Sequence, residues 1–132
     1  MRAAAGALLL VLTVGGAAAY EPRVNYQLQC MGCHTADGSG QPGRVPSVRG
    51  SLGQLAVTPE GRNFLIRVPG VAQSPLDDAD TAAVLNWMID ELSDPRPARF
   101  DRFTAEEVAR WRRQPLTDVS AARARLLTGS AR

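Results

Sequence analysis

Three side chains able to do chemistry stand within five residues: Cys30, Cys33 and His34, in the order Cys-Met-Gly-Cys-His. They are the only two cysteines and the only histidine of the chain. On a helical turn, residues three apart share one face, so the two thiols point the same way. The imidazole that follows arrives at the same place. This order of residues is the attachment signature for a haem. Each thiol adds across one vinyl group of the porphyrin, giving two thioether links, and His34 then lies under the iron as an axial ligand. The cofactor implied is one haem c, covalently bound.

Other chemistries use the same residue types. A thioredoxin-type dithiol belongs where a strand opens into a helix within a βαβ unit, and no strand pattern surrounds this motif. A structural zinc site takes four Cys or His ligands, and the chain offers three. A plain disulfide between Cys30 and Cys33 is the third alternative, since an exported chain meets an oxidising compartment.

The motif needs a scaffold, and the spacing of apolar residues predicts helices. A first helix spans residues 21–30, with Pro22 in the first turn, where no N–H is required, and Val24, Leu28 and Met31 at roughly helical spacing. Residues 35–53 read as one loop, because Gly38, Gly40, Gly43, Pro46, Gly50 and Gly53 act as breakers that exclude a regular element. Thr58 caps a second helix with Pro59 and Glu60 in its first turn, running to Arg67 and stopped by Val68-Pro69-Gly70. Residues 71–76 form a short loop. Asp77 caps a third helix over residues 77–92, with Leu85, Ile89 and Leu92 as its apolar seam, Val84 and Met88 beside it, and Trp87 on its flank. After the break at residues 93–97, Thr104 opens a helix to about Gln114, and Asp118 caps a last one to about Leu127. With no alternating pattern anywhere, the fold class is all-α, a small helical fold wrapped around one haem with a helical C-terminal extension.

Over residues 22–92 the chain resembles the class I c-type cytochromes. The resemblance rests on the helix that runs into Cys30-Met31-Gly32-Cys33-His34, on Asp37-Gly38-Ser39-Gly40, on Pro46 and Gly50, and on Asn86-Trp87-Met88 in the helix before the extension. It implies that the Pro46 carbonyl accepts from the second ring nitrogen of His34, a bond that orients the imidazole and tunes the metal. It also implies that Trp87 packs against the first helix. The family draws its sixth iron ligand from a Met in the loop before its last helix. Here that loop, residues 70–76, contains none. Met31 lies between the two cysteines, which leaves Met88 as the candidate sulfur ligand; a Gln73 above the iron or an open site are the alternatives. Arg44 and Arg49 lie in the loop that would wrap the haem, as propionate partners or as solvated arginines.

The chain has 132 residues, room for one domain. Aromatic residues make up 5% of it, few with which to fill a core, and a haem would supply a large apolar plate instead. Residues 1–19 carry one charge, an apolar run and a small-residue tail ending Ala17-Ala18-Ala19, the pattern of a cleaved export signal; uncleaved, it would be a membrane anchor. Residues 20–95 form the expected cytochrome domain, with five Arg against nine Asp and Glu; residues 96–132 form a basic helical extension, with nine Arg against four acids. A net charge of +2 does not suit a nucleic-acid binder. The functional expectation is a periplasmic electron carrier, not an enzyme, that accepts electrons from a dehydrogenase and passes them to an oxidase or another cytochrome. Alternatives are an open-iron haem protein that binds gases or peroxide, and a fixed subunit of a dehydrogenase complex docked through the extension, with Phe100, Phe103 and Trp111 as apolar anchors.

Overall fold

The computed structural model describes residues 20–129, so the predicted signal over residues 1–19 lies outside the described residues. Eight helices follow one another: α1 (Pro22–Gln29), α2 (Met31–His34), α3 (Arg49–Ala56), α4 (Pro59–Arg67), α5 (Pro69–Ala72), α6 (Asp78–Leu92), α7 (Ala105–Trp111) and α8 (Val119–Gly129). No strand occurs among the described residues, and the all-α expectation holds.

The caps read from the sequence are formed. Thr58 accepts from the Gly61 N–H, Asp77 from the Asp80 N–H at 2.7 Å, Thr104 from the Glu107 N–H, and Asp118 from the Ala121 N–H at 2.9 Å. Each satisfies one of the donors that a helix start leaves unpaired. Two segments depart from expectation. Residues 49–53, read as the end of a loop, are the first part of α3, and Pro69–Ala72 adds a single turn, α5. Glycine weakens an isolated helix, but tertiary packing decides here. A Cβ on Gly53 would stand 3.0 Å from the Pro95 carbonyl oxygen and 3.0 Å from Pro97 Cδ, so this glycine lets the chain beyond α6 cross close to α3.

Helix α6 is in contact with α1, α3 and α7, and α3 with α4. Tyr26, Leu52, Ile66, Ile89 and Val108 are its fully buried large apolar side chains, one each from α1, α3, α4, α6 and α7. The extension is thus part of the core. Phe103 is buried, Phe100 and Trp111 are partly buried against the same cluster, and Asn86 on α6 exchanges two hydrogen bonds with the Phe103 backbone, at 3.0 and 2.9 Å.

Trp87 sits as the resemblance implies, its ring 5.2 Å from that of Tyr26 on α1. The Tyr26 hydroxyl donates to the Thr35 carbonyl at 2.6 Å, tying α1 to the residue after the motif. Burial pushes this phenol up to about 12. A raised folded pKa favours the neutral form, so its stabilisation is complete below the unfolded value of about 10 and is lost as pH climbs through the folded value. Tyr26→Phe is expected to lower stability by about 1 kcal/mol at neutral pH. It should also weaken the alkaline loss of stability above pH of about 10, which thermal unfolding at a series of pH values measures.

Candidate haem site

Helix α1 ends at Cys30, whose N–H donates to the Tyr26 carbonyl at 2.9 Å. The backbone breaks there (φ −121°, ψ −36°), and α2 then makes one turn that contains Cys33 and His34. The expected single helix is therefore two, with Cys30 at the joint. Both Cys33 and His34 donate their N–H to the Cys30 carbonyl, at 3.2 and 3.0 Å, which holds the three functional side chains on one turn. Thr35, at φ +64°, stops the turn.

The segment after the motif folds back over it. The Gly40 N–H donates to the His34 carbonyl at 3.1 Å, and Gln41 Nε2 donates to the Gly32 carbonyl at 3.3 Å. Asp37 organises the bend: its Oδ1 accepts from the Thr35 hydroxyl at 2.8 Å and from the Ser39 N–H at 3.1 Å, while Arg49 lies 3.9 Å from its other oxygen and 3.4 Å from Asp94. The Ser39 and Thr35 donors hold the exposed Asp37 carboxyl down at about 2.

This fold-back delivers Pro46 to His34. The Pro46 carbonyl approaches the imidazole and favours its protonated form, but falls short of a closed hydrogen bond; Nδ1 of His34 is buried with no partner. Burial has the larger effect and holds the His34 pKa below the ordinary histidine value. The ring is neutral at neutral pH, the form in which a nitrogen lone pair is available to a metal.

Cys30, Cys33, His34 and Pro46 open onto a cavity of about 320 Å³. Its apolar wall comes from Leu52 and Leu55 of α3, Phe64 and Leu65 of α4, Val68 with α5, and Leu85 and Met88 of α6. Both thiols are free, Cys30 half-buried and Cys33 exposed. Burial, with the neighbouring Cys33 adding, pushes the Cys30 thiol up to about 11. Among the described residues no three Cys, His, Asp or Glu side chains converge as a metal-ion site would require, although two thiols and an imidazole occupy one turn. The trio is spread along a cavity wall, which suits a flat cofactor and not a lone zinc ion.

No family model matches the chain. It is 33% identical over 130 residues to cytochrome c-552 of Thermus thermophilus, a match covering 83% of this chain and 88% of that protein. A second cytochrome c-552 from Thermus thermophilus is 34% identical over 108 residues, covering 67% of this chain and 82% of that protein. The chain belongs to the c-type cytochromes. Its cofactor is haem c, covalently bound, and its class is electron carrier rather than enzyme.

The site of this cytochrome fits that cofactor on its own geometry. The cavity has an apolar wall for the porphyrin face, two unbonded thiols at one edge and a neutral imidazole whose buried Nδ1 lacks a partner. Met88 is buried and lies on the cavity wall. Gln73 is exposed and is not among the residues of the wall. Of the two loop arginines, Arg44 lines the cavity, whereas Arg49 is engaged with Asp37 and Asp94.

Two cavity residues, Val119 and Arg123 of α8, were outside the sequence expectation. Their spacing of four puts them on one helix face, the only signal the sequence carries for them.

Proposed function

We propose that this cytochrome is an exported, soluble electron shuttle of the periplasm, matured by removal of residues 1–19. Cys30 and Cys33 would hold the haem through thioethers, His34 would ligate its iron with Nδ1 turned to the Pro46 carbonyl, and Met88 would supply the remaining iron ligand. The group they hold supplies a reversible one-electron couple at iron. The chain's own part is to exclude water from the ring, to orient the imidazole and to present a docking face. The carrying observation is the single cavity lined by Cys30, Cys33, His34, Pro46 and Met88. Among the described residues no helix is long and apolar enough to cross a membrane.

Leu28 and Met31, 61% and 36% exposed, flank the thiol edge. They offer an apolar contact for a dehydrogenase as donor and for an oxidase or another cytochrome as acceptor, in the small and weak complexes that fast exchange requires. Residues 20–95 form the cytochrome domain, and residues 96–132 form the extension, whose described part, 96–129, covers it. The burial of Phe103 and Val108 in the shared core supports this covering role over a docking arm that reaches to a larger complex.

The test is the spectrum of protein made in cells that mature c-type cytochromes. Haem is expected to stay attached after denaturation. Reduced protein is expected to be low-spin and unchanged by carbon monoxide, and Met88→Ala is expected to bind carbon monoxide readily. Haem that washes out on denaturation would sink the thioether assignment. The absence of Met from residues 70–76 favours a second reading, an open iron; wild-type protein that is high-spin and binds carbon monoxide would select it over Met88 ligation.

A further inference from the structure

The rim of the cavity carries an unbalanced charge. Its lining contains two guanidinium groups, Arg44 from the loop after the motif and Arg123 from α8, and no Asp or Glu. Among the described residues neither arginine has a carboxylate partner; the five ion pairs belong to Arg49, twice, and to Arg62, Arg102 and Arg112. Arg44 is exposed, and water suffices for it. Arg123 is half-buried, and its one side-chain hydrogen bond is from Nη2 to the Ser51 hydroxyl at 2.9 Å. A partly desolvated cation beside a neutral hydroxyl alone is costly, and it calls for an anion. The polypeptide lining supplies none.

Helix α8 packs Val119, Leu126 and Leu127, partly buried, against the core. Ala122 is its one buried residue, and Val119 and Arg123 turn one face of it to the cavity. A cation on this helix, aimed at a cavity shaped for a ring with two carboxylate arms, has an evident counter-ion.

We infer that Arg123 of the C-terminal extension is an anchor for a haem propionate, with Arg44 facing the other, and that this pairing latches α8 over the pocket. The inference rests on the haem reading above. It makes α8 part of the cofactor site, 72 residues from Ser51 and beyond the segment that carries the resemblance to class I cytochromes. A guanidinium beside the haem favours the reduced iron, which carries one positive charge fewer, and keeps the paired propionate ionised.

The test compares holoprotein variants by redox titration from pH of about 5 to about 9, and by amide hydrogen exchange across α8. Wild type is expected to give a nearly flat midpoint potential over that range. Arg123→Gln is expected to lower the potential and to make it fall with rising pH, because an unpaired, partly buried carboxylate titrates nearer neutrality. The same variant should speed exchange in α8. Arg123→Lys, which keeps the charge, is expected to restore most of the potential. The exposed Arg125→Gln should leave it at the wild-type value. If Arg123→Gln does not accumulate, Arg44→Gln and Arg123→Lys read the same couple: a lowered potential in the first with near-wild-type potential in the second supports the pairing, and no change in the first overturns it. Haem present with an unchanged potential in Arg123→Gln overturns the propionate assignment alone. Wild-type protein without covalent haem overturns the haem reading as well.

Discussion

Gly40→Ala is expected to damage the candidate site far more than Gly43→Ala, although both glycines have nearly the same backbone. Their φ angles are +74° and +75°, in the left-handed region where a side chain costs about 1–2 kcal/mol. Gly43 has open space around it, and a Cβ there meets nothing within 4 Å. At Gly40 the same Cβ would strike the Val45 carbonyl oxygen and stand 2.8 Å from the Pro46 carbonyl oxygen. Those are backbone atoms, and they cannot rotate aside as a side-chain tip does. The contact falls on the very carbonyl that approaches His34. Gly40→Ala should therefore cost about 3 kcal/mol or more, and Gly43→Ala only the backbone share. In melting temperature the first loss is on the order of 10 °C or more.

The two glycine variants also differ in kind. On the proposed bond between Pro46 and His34, moving the Pro46 carbonyl weakens the hold on the ring, so Gly40→Ala holoprotein should show a changed reduction potential, while Gly43→Ala keeps the wild-type potential. Melting curves and redox titration of the pair make the comparison. Equal losses of stability, with no change of potential in either, would mean that the approach of Gly40 to Pro46 has no bearing on His34.

The core of the site was legible because its chemistry is local. Cys30, Cys33 and His34 lie on one turn, and the hydrogen bonds that hold that turn run between neighbours in sequence. The capped helices were legible for the same reason: Thr58, Asp77, Thr104 and Asp118 each satisfy a donor three residues away. Helix α3 was not, because Gly50 and Gly53 look like breakers to any local reading. The use of Gly53 appears only when residues 95 and 97 lie against it. Arg123 was invisible for a sharper reason. Its partner Ser51 is 72 residues away, and α8 has a single buried residue to betray its inner face. Phe100, Phe103 and Trp111 were recognisable as anchors, but a sequence names no destination for an anchor. The structure puts them on the protein's own core.

Arg62 decides how firmly that extension is attached, and its loss is expected to be the most destabilising change outside the haem site. The side chain is 13% exposed. Its Nε and Nη2 grip the two oxygens of Glu107 on α7, at 2.8 and 2.5 Å, the paired geometry that suits guanidinium and carboxylate. Nη1 donates to the carbonyls of Asp101, at 2.5 Å, and Ala56, and Nη2 also to that of Arg102; the guanidinium lies 3.9 Å from the Phe103 ring centroid. One α4 residue thus ties α3, the linker and α7 together. Removing one partner of such a pair strands the other: Glu107, 25% exposed, would be left without its counter-ion. Arg62→Ala should cost about 3–5 kcal/mol. Glu107→Ala alone strands the arginine less, because three carbonyls and an aromatic face still receive it. The double variant Arg62→Ala/Glu107→Ala should lose less than the sum of the single losses, by about 1–3 kcal/mol. Hydrogen exchange locates the damage: in Arg62→Ala, α7 and α8 should open before α1 and α6, since the tie that fails is the one between extension and domain. Uniform loss of protection across all helices would mean instead that extension and domain unfold as one unit, with Arg62 no more than another part of the shared core.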